Sequence, residues 1–430
     1  FAQSWMSGTI SSNAADFAYH LYRNGDQRMG YVFRNEWDIS PHNTLIFGSQ
    51  YEHGYEISQE YWGPTVGFQP LDTYNDAWNQ PGYRNSTTEY VEDKYHAGKL
   101  LLNPGIRFNQ VQTADYTPAV GYFYSFPFAV GNAYGFTEPS LGVRYAFNPH
   151  LTAYGGIGSS AKPPEIAAYY NDSQFIPGTG QIAPLIVQPE RSIDLDAGLR
   201  GQLRGMYWAV DVYNDRFTNT FLTAPADASY FEGLGQTPAQ AAASAASNSI
   251  TLTTNGGDAV YHGVELSLTH VPLGVTGRIL GYVNFSQNSA VYTTPFPNGS
   301  GATVPVGTNV PYVPNELWNV GIYHRGGAVD WRLGEHYVGA QTIFDNVAGG
   351  PSSTTLAAYG SVDGYVSFKL DRSGEYRVNL TGTNLLDNQG YVYGYISSAF
   401  TDANGNTLPL EVVMPQAPRA FYVSIAGHFR

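Results

Sequence analysis

Cysteine is absent from this chain of 430 residues, and charge is scarce. Without thiols there are neither disulfides nor thiolate metal sites, a composition compatible with passage through an oxidising periplasm. Charged residues make up 13%, about half the usual share. No apolar run approaches the ~18 residues of a membrane helix. Low charge with a negative mean hydropathy excludes both a disordered tail and a helical membrane protein. The net charge of −14 argues against nucleic acid as a partner. The first residues form neither a basic n-region nor an apolar h-region, so any signal peptide is expected to have been removed.

Glycine (48) and tyrosine (34) are plentiful instead. The polar character rests on Ser, Thr, Asn, Gln, Gly and Tyr, which suits strands with one wet face and one apolar face. The last stretch has this form. Phe421, Val423, Ile425, Gly427 and Phe429 share one strand face, and Tyr422, Ser424, Ala426 and His428 share the other. An edge strand of a soluble sandwich reads much the same, so the preceding chain must decide.

That chain repeats the pattern. Seven short turns alternate with long loops: Ser40-Pro41-His42-Asn43, His96-Ala97-Gly98-Lys99, Asn148-Pro149-His150, Gly201-Gln202-Leu203-Arg204, Pro272-Leu273-Gly274, Gly326-Gly327 and Asp371-Arg372-Ser373-Gly374. Short turns at one end and long loops at the other are the asymmetry of an outer-membrane barrel. A strand within Ser7 to Tyr22, closed by a polar loop Arg23-Asn24-Gly25-Asp26, brings the expected number to about sixteen. Long loops are expected around Trp62 to Trp78 and from Asn384 to the last strand, and a short helix in Gln236 to Ser249. Within strands, Met206, Trp208, Val210 and Val212 oppose Tyr207, Ala209, Asp211 and Tyr213, while Val264, Leu266 and Leu268 oppose Glu265, Ser267 and Thr269. A carboxylate such as Asp211 or Glu265 is expensive against lipid and ordinary in a watery lumen. A soluble sheet with one wet face shares the alternation; strands of ten to seventeen residues favour the membrane barrel.

From about Met29 to Arg430 the chain resembles the β-barrel of TonB-dependent outer-membrane receptors. The pieces that carry the resemblance run in the family's order. They are Tyr90-Val91-Glu92-Asp93, Asn103-Pro104-Gly105-Ile106-Arg107-Phe108, Ser160-Ala161-Lys162-Pro163-Pro164-Glu165-Ile166 and Gln188-Pro189-Glu190-Arg191-Ser192 with Gly198-Leu199-Arg200. Asn255-Gly256-Gly257 with Gly263-Val264-Glu265-Leu266, then Thr383 to Tyr391, and Ala417-Pro418-Arg419 before the final strand complete them. The resemblance implies an all-β transmembrane antiparallel barrel, with residues 1–430 its C-terminal part, of a wall of about twenty-two strands. The family's plug, which carries the TonB box, has no counterpart in the chain, and further N-terminal sequence is expected. Implied too are an outer-membrane location, lipid as surroundings, a scarce solute such as a ferric siderophore as ligand, and the TonB complex as partner through the plug.

The chemistry of an enzyme is not expected. The ten histidines are scattered without a His-Glu-x-x-His helix, and no cofactor site is apparent. Gly156-Ile157-Gly158-Ser159-Ser160 superficially suggests a nucleophile elbow, and Asp402 to Asn406 a calcium loop without its terminal Glu. The candidate ligand residues are loop aromatics: Trp62, Tyr124, Phe126, Tyr169, Tyr170 and Phe175. Their rings and hydroxyls suit a planar or apolar solute, although loop packing and an interfacial girdle also use aromatics. Two further readings stay open, a self-contained sixteen-strand passive porin and a soluble all-β carbohydrate-binding protein or glycosidase. The last needs a carboxylate pair in a cleft.

Overall fold

The computed structural model describes residues 2–8, 19–63, 75–115, 131–164, 175–176, 181–182, 187–225, 228–233, 236–247, 251–273, 279–298, 302–346, 348–401 and 407–427. Sixteen strands form one sheet in chain order. They are β1 (Ala2–Gly8), β2 (Tyr19–Ser40), β3 (Asn43–Gly63), β4 (Asn75–Ala97), β5 (Leu100–Asp115), β6 (Gly131–Asn148), β7 (Leu151–Lys162) and β8 (Glu190–Leu203). They continue as β9 (Met206–Thr218), β10 (Ala259–Leu273), β11 (Ile279–Tyr292), β12 (Glu316–His324), β13 (Val329–Val338), β14 (Tyr359–Lys369), β15 (Tyr376–Thr383) and β16 (Ala420–Gly427). Every neighbouring pair is antiparallel, as hairpin connections require. Among the described residues, β1 and β16 each have a single neighbour in the sheet.

Register separates the two faces across the whole wall. Leu199, Val210, Leu266, Phe285, Trp318 and Tyr337 are successive cross-strand partners from β8 to β13. The adjacent row on the opposite face reads Arg200, Ala209, Ser267, Asn284, Asn319 and His336. The polar row is laced together: Ser267 donates to Asn284 at 2.8 Å, and His336 Nδ1 meets Asn319 at 2.8 Å. On the apolar face of the last strand, Val423 is 71% and Ile425 77% exposed. Large aliphatic side chains so bare on a sheet of this length belong against hydrocarbon, with the polar face turned to a lumen. Three recesses open on the polar face. Glu335 is an exception, placed on the apolar face between Val320 and Val362, two residues from the ring of Tyr337.

Several expectations shift. Arg23-Asn24-Gly25-Asp26 is not a loop: β2 runs straight through it, paired with Glu56 to Gln59 of β3. Trp62 and Trp78 lie in strands, because β3 and β4 extend well past the point where alternation fades. Cross-strand backbone bonds sustain them there, a contribution that side-chain periodicity does not report. The stretch after Asn384 holds a hairpin, Tyr391–Thr401 with Thr407–Pro415. The expected helix is present as α2 (Pro238–Ser247), and a second short helix not expected from the sequence, α1 (Ala228–Gly233), precedes it. No described helix is long and apolar enough to cross a membrane. Gly156 to Ser160 lies inside β7, with none of the strand–turn–helix strain of a nucleophile elbow. The possible calcium loop at 402–406 is outside the described residues.

Two local devices fix the wall. Asn384, 3% exposed with φ 47°, is donor to the carbonyls of Asn388 (2.9 Å) and Ala417 (3.0 Å) and acceptor from the Asn388 amide (3.0 Å). It pins the top of β15 to the chain entering β16, and asparagine tolerates that left-handed backbone. In the turn after β14, Asp371 accepts from the hydroxyl and amide of Ser373 and from the amides of Tyr376 (2.8 Å) and Glu375. The Ser373 hydroxyl and the Tyr376 amide hold its carboxyl down at about 2.

Two outcomes follow. Leu266→Arg should impair membrane assembly by roughly 2–4 kcal/mol if near the midplane, whereas Ser267→Arg should be tolerated, judged by heat-modifiable migration on gels. The Asp371 carboxyl is depressed from 3.8 to about 2, so its stabilisation is present above pH ~3.8 and disappears as pH falls through about 2. Asp371→Asn should therefore lower the thermal midpoint at neutral pH, and the difference from the parent should close towards pH 2. A pH-independent difference would contradict this.

Candidate ligand-binding surface

The long-loop end carries its own structure. Gln341–Asp345, Gly350–Leu356, Tyr391–Thr401 and Thr407–Pro415 form a four-stranded sheet in the order 2-1-3-4, with the first and third strands parallel. Ile343, Leu356 and Ile396 make its buried core, with Tyr312 and Val413 packed on it. Gly394 allows the layers to close, since a Cβ there would come within 3.2 Å of Val413 and 3.3 Å of Leu356.

On this sheet Tyr312 and Tyr393 stack, their centroids 5.1 Å apart and planes 23° from parallel. Tyr395 is 6.0 Å further along. Tyr312 donates to the Tyr393 hydroxyl at 3.4 Å, and burial followed by that contact pushes its phenol up to about 12. It stays neutral, a donor and acceptor beside a flat ring. Tyr393, Val412 and Met414 are exposed. Rings, a thioether and neutral hydroxyls together suit a planar, weakly polar solute. The signal for this surface is legible as Tyr391-Val392-Tyr393-Gly394-Tyr395, a period-two tyrosine run.

The six aromatics singled out from sequence fare differently. Tyr124, Phe126, Tyr169 and Tyr170 lie outside the described residues. Trp62 is in β3, opposite His20 and Asn75 in backbone register. Phe175 begins a two-residue strand opposite Ile182. The described residues bring none of them together.

Below the loops, tyrosines of the inner wall lie over glycines. A Cβ at Gly198 would strike the Tyr154 ring at 2.7 Å, at Gly263 the Tyr213 hydroxyl at 2.7 Å, and at Gly48 the Tyr90 ring at 2.5 Å. Tyr154 donates to Asp211, and Tyr213 donates to Asn288 at 2.7 Å. On the same wall Asp194 stands directly opposite Asp215, with Asp196 one step down and Glu265 beside Asp211. Like charges facing one another cost stability unless water or a cation compensates. Among the described residues, no group of His, Asp or Glu is arranged to hold a metal ion.

The family model described as "TonB dependent receptor-like, beta-barrel" matches residues 2–385. The chain belongs to that family. Its members are transporters and receptors of the Gram-negative outer membrane. Among solved structures, this receptor barrel is similar to the ferric citrate transporter FecA (13% identity, TM-score 0.66, covering 94% of this chain and 54% of that one). It is similar also to the ferric yersiniabactin uptake receptor FyuA from Yersinia pestis (16%, 0.62, 95% and 54%) and to the copper transporter OprC (16%, 0.65, 96% and 57%). At such identities the likeness is one of fold. The receptor barrel spans about half the length of these proteins. No curated protein matches it at the level of sequence.

Removing both stacked rings, Tyr312→Ala with Tyr393→Ala, should leave barrel migration unchanged because both residues lie outside the sixteen-strand wall. Intrinsic fluorescence should lose the quenching that an added aromatic solute causes in the parent barrel. Equal quenching in both proteins would remove this surface from consideration.

Proposed function

We propose that this chain is the barrel of a receptor that takes up a scarce solute across the outer membrane with energy delivered through TonB, an iron–siderophore complex being the favoured ligand. The observation that carries this is the combination of a lipid-facing wall with a long-loop end that builds a separate aromatic surface. A passive pore needs no such platform, whereas a receptor must hold a dilute, planar or aryl-bearing ligand before moving it. Transporters or receptors of ferric citrate, ferric yersiniabactin and copper share this fold. They support a metal-complex ligand as the class to test first. Tyr124, Phe126, Tyr169 and Tyr170, with Trp62 and Phe175, remain proposed contacts in the neighbouring loops.

Energised uptake requires a gate inside the lumen and a connection to TonB. In this reading a plug supplies both, and further strands pair with β1 and β16. Unpaired backbone groups at a sheet edge each cost several kcal/mol in hydrocarbon, so the wall must close by some such means. The sixteen-strand count in one sheet favours a second reading, a passive porin closed by β1 on β16.

A planar-bilayer experiment separates them. The receptor reading expects this exact chain to give no stable channels, or to assemble only with a co-expressed upstream segment. Uniform channels of a sixteen-strand porin's conductance would replace it with the porin. Under the receptor reading, Tyr169→Ala with Tyr170→Ala should also weaken binding of ferric complexes without altering heat-resistant migration. Unchanged affinity would assign that loop to scaffolding.

A further inference from the structure

Charge is segregated between the two ends of the wall more strictly than its scarcity alone requires. Each of the seven short turns carries one basic side chain, from His42 and Lys99 to Arg325 and Arg372. The connections at the opposite end are residues 9–18, 64–74, 116–130, 163–189, 219–258, 293–315, 339–358 and 384–419. Of the chain's 21 lysines and arginines and 10 histidines, a single one falls in them. It is Arg419, whose neighbour Ala420 already belongs to β16. Carboxylates are not excluded in the same way: Asp172, Asp227, Glu232, Asp345, Asp402 and Glu411 all lie in these connections.

Basic residues near the strand tops are already engaged. Lys162 and Arg191 lie over the rings of Phe221 and Phe136, each at 5.6 Å. Arg216 stands opposite Ile193 on the outer face, and its Nε donates to Asn214 at 3.3 Å. The inner wall near the top of β8 is acidic instead, with Asp194 directly opposite Asp215 and Asp196 one step down. Carboxylates facing one another in this way cost stability that a passing cation offsets.

This distribution sets the sign of the solute. An anionic chelate taken from dilute solution needs lysine or arginine donors to replace its water, and the long-loop end supplies almost none. A mouth lined by one sign of charge concentrates ions of the other. The aromatic surface agrees with that sign. Exposed Tyr393, stacked on Tyr312 with Tyr395 beside it, offers ring faces whose quadrupole attracts a cation. We propose that the solute captured at the long-loop end is cationic. It is a metal complex of net positive charge bearing flat groups, held on the rings of Tyr312, Tyr393 and Tyr395 and drawn inward by Asp194 and Asp215. The assignment rests on the receptor reading and narrows it, since anionic chelates fall outside.

Equilibrium dialysis tests the sign, with the 430-residue chain refolded in an uncharged detergent and bound iron measured by atomic absorption. The probes are three aryl complexes: dicationic iron(II) tris-bipyridine, neutral iron(III) tris-benzohydroxamate and trianionic iron(III) tris-catecholate. The dication should bind about tenfold more tightly than the neutral complex, and the trianion should not bind measurably. Raising salt from about 20 to about 500 mM should weaken the dication several-fold and leave the neutral complex unchanged. Val412→Arg puts a positive charge at an exposed position opposite Tyr395. It should weaken the dication about tenfold, with heat-modifiable migration establishing that the variant is folded. Either other complex bound as tightly as the dication, or a dication indifferent to Val412→Arg, overturns the charge assignment and leaves the receptor reading standing. Binding of none of the three overturns the assignment and the receptor reading together.

Discussion

Hydrocarbon offers no hydrogen bonds, and the rest of the structure depends on that constraint. A chain that crosses the bilayer as strands must satisfy each backbone group from a neighbour, so sixteen strands pair in strict sequence. Pairing in register forces the side chains into two rows. One row, Leu199 to Tyr337, is apolar because it has nothing but acyl chains to meet. The other, Arg200 to His336, is free to be polar because water fills the space it faces. Sparse charge and abundant Ser, Thr, Asn and Gln are the compositional trace of this division.

The abundance of glycine and tyrosine has a second cause, found on the inner wall. Tyr154 over Gly198, Tyr213 over Gly263 and Tyr90 over Gly48 are pairs in which a large ring occupies the space that a Cβ would need. The ring then lies along the wall with its hydroxyl turned to a partner, Asp211 or Asn288 in the first two cases. This stiffens a broad sheet without filling its lumen. On the same wall Asp194, Asp196 and Asp215 cluster to give part of that lumen an acidic face.

The fold was legible because its rules are local. Period-two alternation around Val264 to Thr269, and turns such as Asn148-Pro149-His150, need no knowledge of distant residues. The limits of that legibility are local too. Where β2 passes through Arg23 to Asp26 and β3 reaches Trp62, regular alternation lapses in the sequence, and only the ladder with the next strand reveals a strand. The candidate ligand surface is less accessible from sequence. Tyr312 meets Tyr393 across 81 residues of sequence, through a hairpin whose strand order departs from that of the wall. Nothing in the local pattern brings those two rings together, although the tyrosine run from Tyr391 to Tyr395 could have nominated one side. His270 lies in the same category. Its position between two tyrosines is set by a bulge that shifts register by its presence, which simple alternation cannot express.

The central claim is that one face of this wall meets lipid and the other meets water, and the absence of cysteine makes it directly measurable. Single cysteines introduced in turn from Val260 to Thr269, in the protein inserted in membranes, can be labelled with a fluorophore and exposed to quenchers confined to lipid or to water. The account predicts alternation at every step: positions 260, 262, 264, 266 and 268 quenched from the lipid, and positions 261, 263, 265, 267 and 269 from the aqueous side. Uniform access to the aqueous quencher, or a loss of period two along the strand, would contradict it.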